Sequence, residues 1–363
     1  MSSNNDRLSK TIMFLRFPLI VAVVFIHTNL ADVMINGRLL VNEGQFPIHD
    51  LFRHIITNEL ARIAVPLFFF ISGFLFFYHT DFSMKMYKQK LKKRVRTLLV
   101  PYLFWNTVVF LLFFLTQIFF SSMTSGRNKL IVDYGWLDWM NLFWNYREGM
   151  PVCYQFWFIR DLIFVVLFVP VLYYFIKYCK AFAVVLLGGL WLFDLWFDMP
   201  GVNIAAFFFF SLGAWFSIYR HDFTTIFLPL RWLATFLYLI LMVVGTLLWY
   251  YKVSDCSWIY NVGIIVGLLT IVSWVAYNIE RNILCVNTFL AGSAFFVYAY
   301  HGMPVAFLTK YWVRLCQPAS ELTMLTGYFL IPLLVTGIGI FCYSLLRKWF
   351  PAFTNLITGG EIK

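Results

Sequence analysis

The amino-acid sequence predicts an all-α fold, a polytopic transmembrane helical bundle of about ten helices with both termini in the cytoplasm. Three observations indicate this fold class. Only 12% of the 363 residues are charged, whereas soluble proteins contain about 25%. Hydrophobic residues make up 61% of the chain, and the mean hydropathy is +0.77. Apolar runs of about 20 residues, the length that a helix needs to cross a bilayer, recur along the whole chain.

Ten such runs define the predicted spans. No polar linker separates them, so we expect one membrane-embedded domain over residues 1–350 and a short cytoplasmic tail over residues 351–363. The first run lacks the cleavage site of a signal peptide and is followed by further runs, which favours a retained helix. The spans that flank Asp194, Asp198 and Gly201 are also compatible with a broken hairpin, and counts of nine or eleven stay open. The runs lie near residues 11–30, 60–79, 98–120, 157–176, 181–197, 201–219, 232–250, 260–278, 287–309 and 324–346.

Membrane topology accounts for the net charge of +11. Lys and Arg accumulate in the cytoplasmic loops of membrane proteins. A cytoplasmic N-terminus puts the most basic segment of the chain, Lys85 to Arg96, on that side. The same segment is expected to attract anionic membrane lipids. A nucleic-acid partner is therefore not predicted.

Two ionisable residues lie inside the first predicted span. Arg16 and His27 are eleven residues apart, which on an α-helix places them on one face with a rise of about 16 Å. Ionisable groups inside a membrane are costly and mark candidate functional sites. In a functional interpretation, Arg16 binds an anion from the cytoplasm and His27 acts as a base. In a structural interpretation, Arg16 extends to the interface and His27 makes an interhelical hydrogen bond. The residues alone leave both open.

Other ionisable residues give weaker indications. Lys93, Arg94 and Arg96 precede the third span, and guanidinium groups match phosphates in shape and charge. Tyr298 and His301 lie three residues apart in the ninth span, where packing and hydrogen bonding are the favoured roles over catalysis.

Asp194 in the fifth span is a candidate partner for a buried base. The adjacent Arg160 and Asp161 at the start of the fourth span are interpreted as a neutralised pair. The sequence contains no GxSxG, HExxH, GxxxxGK[ST] or DxD pattern, and its six cysteines lack CxxC spacing. No metal is therefore predicted.

Several segments resemble, in order, the acyltransferase-3 family of integral membrane O-acyltransferases. Arg16 and His27 reproduce the Arg-x10-His motif of that family's first helix. Each motif is weak by itself, but their shared order across almost the whole chain is specific. The ten-helix plan of the family also agrees with the predicted count. The other matching segments are Arg62–Leu75 (RIAVPLFFFISGFL), Lys92–Trp105 (KKRVRTLLVPYLFW), Phe156–Leu162 (FWFIRDL), Phe207–Gly213 (FFFFSLG) and Tyr298–Pro304 (YAYHGMP).

The resemblance implies transfer of an acyl group, usually acetyl, from cytoplasmic acyl-CoA as co-substrate. The implied acceptor is a sugar hydroxyl of a surface polysaccharide, lipopolysaccharide or lipid-linked glycan, and the implied location is the inner membrane of a bacterium. His27 is then the catalytic residue, either as the base that activates the hydroxyl or as the nucleophile of an acyl-histidine intermediate. The donor-binding residues are Arg16, Lys93, Arg94 and Arg96. Supporting candidates are Tyr298, His301, Ser72, Asp194, Arg160 and Asp161.

Some alternatives stay open from the sequence. Ser72 and Gly73 favour close helix packing, so Ser72 is interpreted as structural rather than nucleophilic. Aromatic residues in the loops at about 31–59 and 121–156 either stack on an acceptor sugar or form an aromatic belt at the interface. A transporter or flippase of a lipid-linked glycan intermediate is the alternative function, and a non-catalytic assembly subunit is a third. The acyl chain, the acceptor and the oligomeric state are not predicted.

Overall fold

A computed structural model describes residues 2–35, 37–119, 129–146, 149–197, 199–317 and 319–360. Within these ranges nearly all regular structure is helical, as the predicted fold class requires. The exception is a two-stranded antiparallel sheet of β1 (Val33–Ile35) and β2 (Arg38–Val41). Strands of three and four residues are too short to show a period-2 alternation of apolar and polar residues, so they were not predicted from the sequence.

Seventeen α-helices are present in the described residues. Irregular helical turns include π-helical His54–Leu60 and Val95–Leu99 and 3-10 helical Tyr154–Phe156. The α-helices are α1 (Ser2–His27), α2 (Pro47–Arg53), α3 (Ala64–Phe77), α4 (Met84–Arg94), α5 (Val100–Phe119), α6 (Trp136–Asn141), α7 (Trp157–Leu167), α8 (Val169–Cys179), α9 (Ala181–Leu192), α10 (Ile204–Ile218), α11 (Phe223–Phe227), α12 (Arg231–Tyr250), α13 (Ser257–Glu280), α14 (Thr288–Tyr300), α15 (Gly302–Leu315), α16 (Glu321–Trp349) and α17 (Pro351–Thr358).

Six helical stretches among the described residues are long and apolar enough to cross a membrane. A seventh is added if α7 and α8, which are bent by 64°, count as one span, and α9, α10 and α14 are shorter apolar helices. Each of the ten predicted spans overlaps one of these helices, but the count of ten and the cytoplasmic termini stay predictions. The six stretches are Asp6–His27, Pro47–Phe77, Met84–Phe119, Phe223–Tyr250, Ser257–Glu280 and Glu321–Trp349.

Two predicted spans are interrupted, and a proline follows each interruption. The run at 157–176 divides into α7 and α8, with Pro170 in the first turn of α8. The run at 287–309 divides into α14 and α15, with Pro304 in the first turn of α15. Proline has no N–H to donate to the carbonyl four residues earlier and its ring clashes with that carbonyl. Proline therefore contributes locally to both breaks, although Pro18 and Pro332 lie inside the continuous helices α1 and α16.

The chain divides into two compact units. The first comprises Met1–Ala22, Thr57–Lys93 and Asp161–Ala294, and the second comprises Val23–Ile56, Arg94–Arg160 and Phe295–Lys363.

In the first unit, α3 and α10 cross with their backbones in contact. A Cβ atom on Gly73 would lie 2.0 Å from the carbonyl oxygen of Phe210, and one on Gly213 would lie 1.9 Å from that of Phe70. Any side chain at either position would separate the helices. The close helix approach expected at Gly73 is therefore present, and its counterpart is a glycine of a second matching segment.

Polar contacts tie the start of α1 to the remainder of the first unit. The guanidinium of Arg7 is buried, and burial of a charge is tolerated when it is paired and hydrogen-bonded. It lies 3.3 Å from a carboxylate oxygen of Glu280 at the end of α13 and donates to Thr225 of α11 at 2.5 Å. The first helix is thus anchored near its N-terminus.

In the second unit, the last helix is packed rather than free. Residues 351–360 were expected to belong to a short tail, but α17 occupies most of them. Trp105 donates its indole N–H to the carbonyl of Ile357 at 2.9 Å, and Ile357 is buried. Residues 361–363 of that predicted tail lie outside the described residues.

Candidate active site around His27 and His301

The end of α1 holds His27 in the second unit. The hydroxyl of Thr28 donates to the carbonyl of Val24 at 2.9 Å. The backbone N–H of Thr28 donates to the carbonyl of Phe25 at 3.1 Å. Phe25 packs against Tyr328 of α16 with ring centres 5.7 Å apart. His27 itself stays partly exposed. Within the described residues its side chain makes no hydrogen bond or ion pair.

His301 lies at the break between α14 and α15 and is fully buried. Its Nδ1 is 2.6 Å from the carbonyl oxygen of Tyr298. A carbonyl can only accept a hydrogen bond, so Nδ1 carries the proton and Nε2 of the neutral ring carries the lone pair. Nε2 is buried and has no hydrogen-bond partner in the described part of the chain. The helix break thus presents a basic nitrogen inside the second unit.

Three rings meet at this point. The ring centres of His27 and His301 are 5.2 Å apart and their planes are tilted by 33°. The ring of Tyr154 contacts His27 edge-on, with ring centres 4.9 Å apart. The structure therefore brings together two histidines that are far apart in the sequence.

The turn Tyr154–Phe156 is fastened to the helix break by buried hydrogen bonds. The hydroxyl of Tyr298 donates to the carbonyl of Gln155 at 2.6 Å, and the side-chain amide of Gln155 donates to the carbonyl of Ala299 at 3.0 Å. A Cβ atom on Gly302 would lie 2.4 Å from Oε1 of Gln155. Only glycine leaves room for this amide, so the contact fixes Tyr154 beside His27.

The chemistry of the cluster is that of imidazole. A neutral histidine that reaches solvent can accept a proton from a substrate or attack an acyl group. Two histidines alone do not make a metal centre, and the described residues contain no group of three His, Cys, Asp or Glu side chains that could hold a metal ion.

Comparison with known proteins identifies the family. The profile of a family described as an acyltransferase domain, acyltransferase-3, matches residues 10–347. The chain belongs to the acyltransferase-3 family. The match includes His27, the turn at Tyr154 and the helix break at His301, so all parts of the histidine cluster lie within the acyltransferase-3 region.

A characterised protein is similar over part of this acyltransferase-3 chain. The succinoglycan biosynthesis protein ExoH of Rhizobium meliloti (strain 1021) is 29% identical over 166 residues, which is 45% of this chain and 42% of ExoH. The matched part therefore spans less than half of that relative. No solved structure matches the chain.

The predicted donor-binding residues are distributed over both units. In the first unit, Arg16 on α1 and Lys93 on α4 are exposed. In the second unit, Arg94 ends α4 and is half-buried, and Arg96 is exposed in the π-helical turn Val95–Leu99. Arg16 and Arg96 make no hydrogen bond or ion pair among the described residues. Their role in binding a donor stays a prediction.

The remaining candidates lie in different surroundings. Arg160 is buried, donates to the carbonyl of Gly149 at 2.5 Å and lies over the ring of Trp144. Asp161 is buried. It is the first residue of the segment Asp161–Ala294 of the first unit. Asp194 was predicted to lie inside the fifth span, but the structure places it in a turn outside any helix. It follows the end of α9, is exposed and has a φ of 54°, because the helix ends at Leu192.

Tyr154 and Gln155 are not among the site residues predicted from the sequence. Both directly precede the segment Phe156–Leu162, which had been recognised as similar to the family. The available signal for these two site residues was a polar amide next to a tyrosine at the start of an apolar run. Their contact with His27 and the helix break depends on tertiary structure.

Proposed function

We propose that this protein transfers an acyl group from cytoplasmic acyl-CoA to a sugar hydroxyl of a surface polysaccharide, lipopolysaccharide or lipid-linked glycan. The proposed location is the inner membrane of a bacterium. The observation that carries the proposal is a partly exposed His27 beside the buried His301, because neither His27 nor Nε2 of His301 has a hydrogen-bond partner among the described residues. Membership of the acyltransferase-3 family supports the reaction class. The similarity to a protein named for succinoglycan biosynthesis supports a glycan acceptor.

The reaction needs a base more than any other group. The C–S bond of the thioester breaks and a C–O ester bond forms, while the proton of the acceptor hydroxyl moves to His27 and then to the thiolate of CoA. In the alternative route, His27 attacks the thioester first and the acceptor hydroxyl then takes the acyl group from the acyl-histidine. Both routes need the same unpaired imidazole nitrogen.

Arg16, Lys93, Arg94 and Arg96 are the proposed phosphate-binding residues for the donor. The guanidinium of an arginine presents parallel N–H groups that match two phosphate oxygens. The absence of hydrogen bonds from Arg16 and Arg96 to other described residues leaves both guanidinium groups available.

The proposed acceptor surface uses exposed aromatic rings of the second unit. Trp136, Trp139 and Tyr146 are 70%, 46% and 52% exposed. Their faces can stack on sugar rings, and Trp144 is supported from one side by the Arg160 guanidinium, 5.5 Å from the ring centre. Residues 121–128 and 147–148 of the predicted acceptor loop 121–156, and residue 36 of the loop 31–59, lie outside the described residues.

The proposal is tested by replacing His27. Cells that lack the gene are supplied with wild type, His27→Ala or the control His221→Ala, whose histidine is exposed in the first unit. Mass spectrometry of surface and lipid-linked glycans then measures the acylated fraction, and immunoblotting of membranes measures the amount of protein. We expect His27→Ala to lower acylation at least 100-fold, because a positioned acid–base group contributes about 10²- to 10⁴-fold. The control is expected to match wild type.

Full acylation by His27→Ala would refute the proposal. So would glycans of identical mass in cells with and without the gene. If the gene instead changes how much unacylated glycan reaches the surface, the protein is a transporter rather than an acyltransferase.

A further inference from the structure

We propose that His301 is a positioning residue for His27. Its Nε2 accepts a hydrogen bond from one ring N–H of His27, which holds the other ring nitrogen, with its lone pair, toward the acceptor hydroxyl. The inference rests on the proposed function, because it assigns a role within the same reaction.

The tautomer of His301 is set by the helix break. The Tyr298 carbonyl fixes the proton on Nδ1 through the 2.6 Å hydrogen bond. The Val297 carbonyl lies 3.3 Å from the same nitrogen, so both nearby acceptors face Nδ1. Nε2 is thereby left as an acceptor only.

Nε2 of His301 needs a donor. A buried polar atom without a hydrogen bond destabilises the folded state, so native structures usually supply a partner. The neighbouring ring with an N–H to give is His27, which itself makes no hydrogen bond among the described residues. Two imidazoles joined by an N–H···N bond have ring centres roughly 5 Å apart, since the two nitrogens lie about 3 Å apart.

The observed separation of 5.2 Å between ring centres therefore suits this bond. What is missing is orientation, since Nε2 of His301 has no partner in the structure. The proposed bond requires the His27 ring to rotate about χ2, and such torsions are broad in histidine. His27 is free to make the rotation because no other hydrogen bond holds its ring in the described part of the chain.

Burial assigns the two histidines different tasks. His301 is fully buried and acts through its neighbour, whereas His27 is partly exposed and meets the substrate. In a serine hydrolase a carboxylate orients the catalytic histidine. His27 has no ion pair with a carboxylate in the described residues, and the neutral His301 takes over the orienting task. The proton that His27 accepts from the hydroxyl passes to the CoA thiolate, so His301 keeps its own proton throughout.

The experiment compares three replacements of His301 in purified full-length protein. His301→Gln puts an amide oxygen near the place of Nε2, His301→Asn puts its amide near Nδ1, and His301→Leu removes both while filling the site. His221→Gln is the matched control because that histidine is exposed in the first unit. The rate of thiol release is measured with acetyl-CoA and with succinyl-CoA, using lipid-linked glycans extracted from the source cells as acceptor.

We expect the Leu and Asn variants to lose about 100-fold in kcat while KM for the acyl-CoA changes less than about 3-fold, because His301 does not contact the donor. The Gln variant should recover most of this loss, since its oxygen can accept the N–H of His27. A merely structural role through the Nδ1–H bond to the Tyr298 carbonyl would instead favour Asn, which keeps an amide near Nδ1, over Gln. If the Leu variant does not fold, the comparison of Gln with Asn decides the matter.

Wild-type rates in the Leu and Asn variants would overturn the inference, and so would equal losses in Gln and Asn. These outcomes are separable from failure of the proposed function. If wild type releases no thiol with either donor, the proposed function fails. If wild type is active, His27→Ala is inactive and His301→Asn is unimpaired, only the role of His301 is wrong.

Discussion

Replacing Gly213 with alanine tests the helix crossing that organises the first unit. The new Cβ atom would lie 1.9 Å from the carbonyl oxygen of Phe70 and 2.9 Å from the backbone nitrogen of Phe74. To restore an ordinary van der Waals contact, α10 must move away from α3 by about 1.5 Å. The obstacle is backbone, so no side-chain rotation can relieve it.

Overpacking of this kind costs about 1–3 kcal/mol, and we expect the upper end because both helices present backbone at the crossing. For a chain of this size, a loss of about 3 kcal/mol lowers the midpoint of thermal unfolding by about 5 °C. The measurement is thermal unfolding of the detergent-purified protein by intrinsic fluorescence. Gly263→Ala is the matched control, because Gly263 lies in α13 of the same unit and nothing lies within 4 Å of its added Cβ.

The control is expected to equal or slightly exceed wild type in stability, since alanine favours a helix more than glycine does by about 0.5–1 kcal/mol. A Gly213→Ala protein with the midpoint of wild type would refute the close crossing. Equal losses in both variants would show that glycine flexibility matters, rather than the contact between the backbones.

Two further predictions concern the roles assigned to single side chains. Ser72→Ala should retain acylation within about twofold of wild type, because Ser72 is interpreted as a packing residue; loss of acylation as severe as in His27→Ala would make it a nucleophile. Arg96→Gln should raise KM for acyl-CoA about tenfold with kcat unchanged, since one lost charge-assisted hydrogen bond costs about 1.5 kcal/mol. An unchanged KM in steady-state kinetics would remove Arg96 from the donor site.

A proline follows two of the places where the apolar runs and the helices disagree. Hydropathy measures only the transfer of side chains into lipid, so the runs at 157–176 and 287–309 each look like one span. Their divisions at Phe168 and His301 are each followed by a proline that lacks an N–H group, Pro170 and Pro304. The second break is also where His301 of the histidine cluster is located.

The sequence by itself determined the helical membrane class and the family, and it predicted a catalytic role for His27. These properties depend on composition, on runs of apolar residues and on motifs that are read locally along the chain. It also indicated the close packing at Gly73, because a glycine in a helix commonly marks contact with a neighbour.

Only the tertiary structure decided which residues surround His27. Tyr154 and His301 are separated from it by more than 100 residues of sequence, and the hydrogen bonds that hold them use backbone carbonyls, which leave no trace in residue identity. The protonated nitrogen of His301 follows from the position of the Tyr298 carbonyl. Its Nε2 has no hydrogen-bond partner among the described residues. These contacts depend on packing between segments that are distant in the sequence, so local sequence patterns do not predict them.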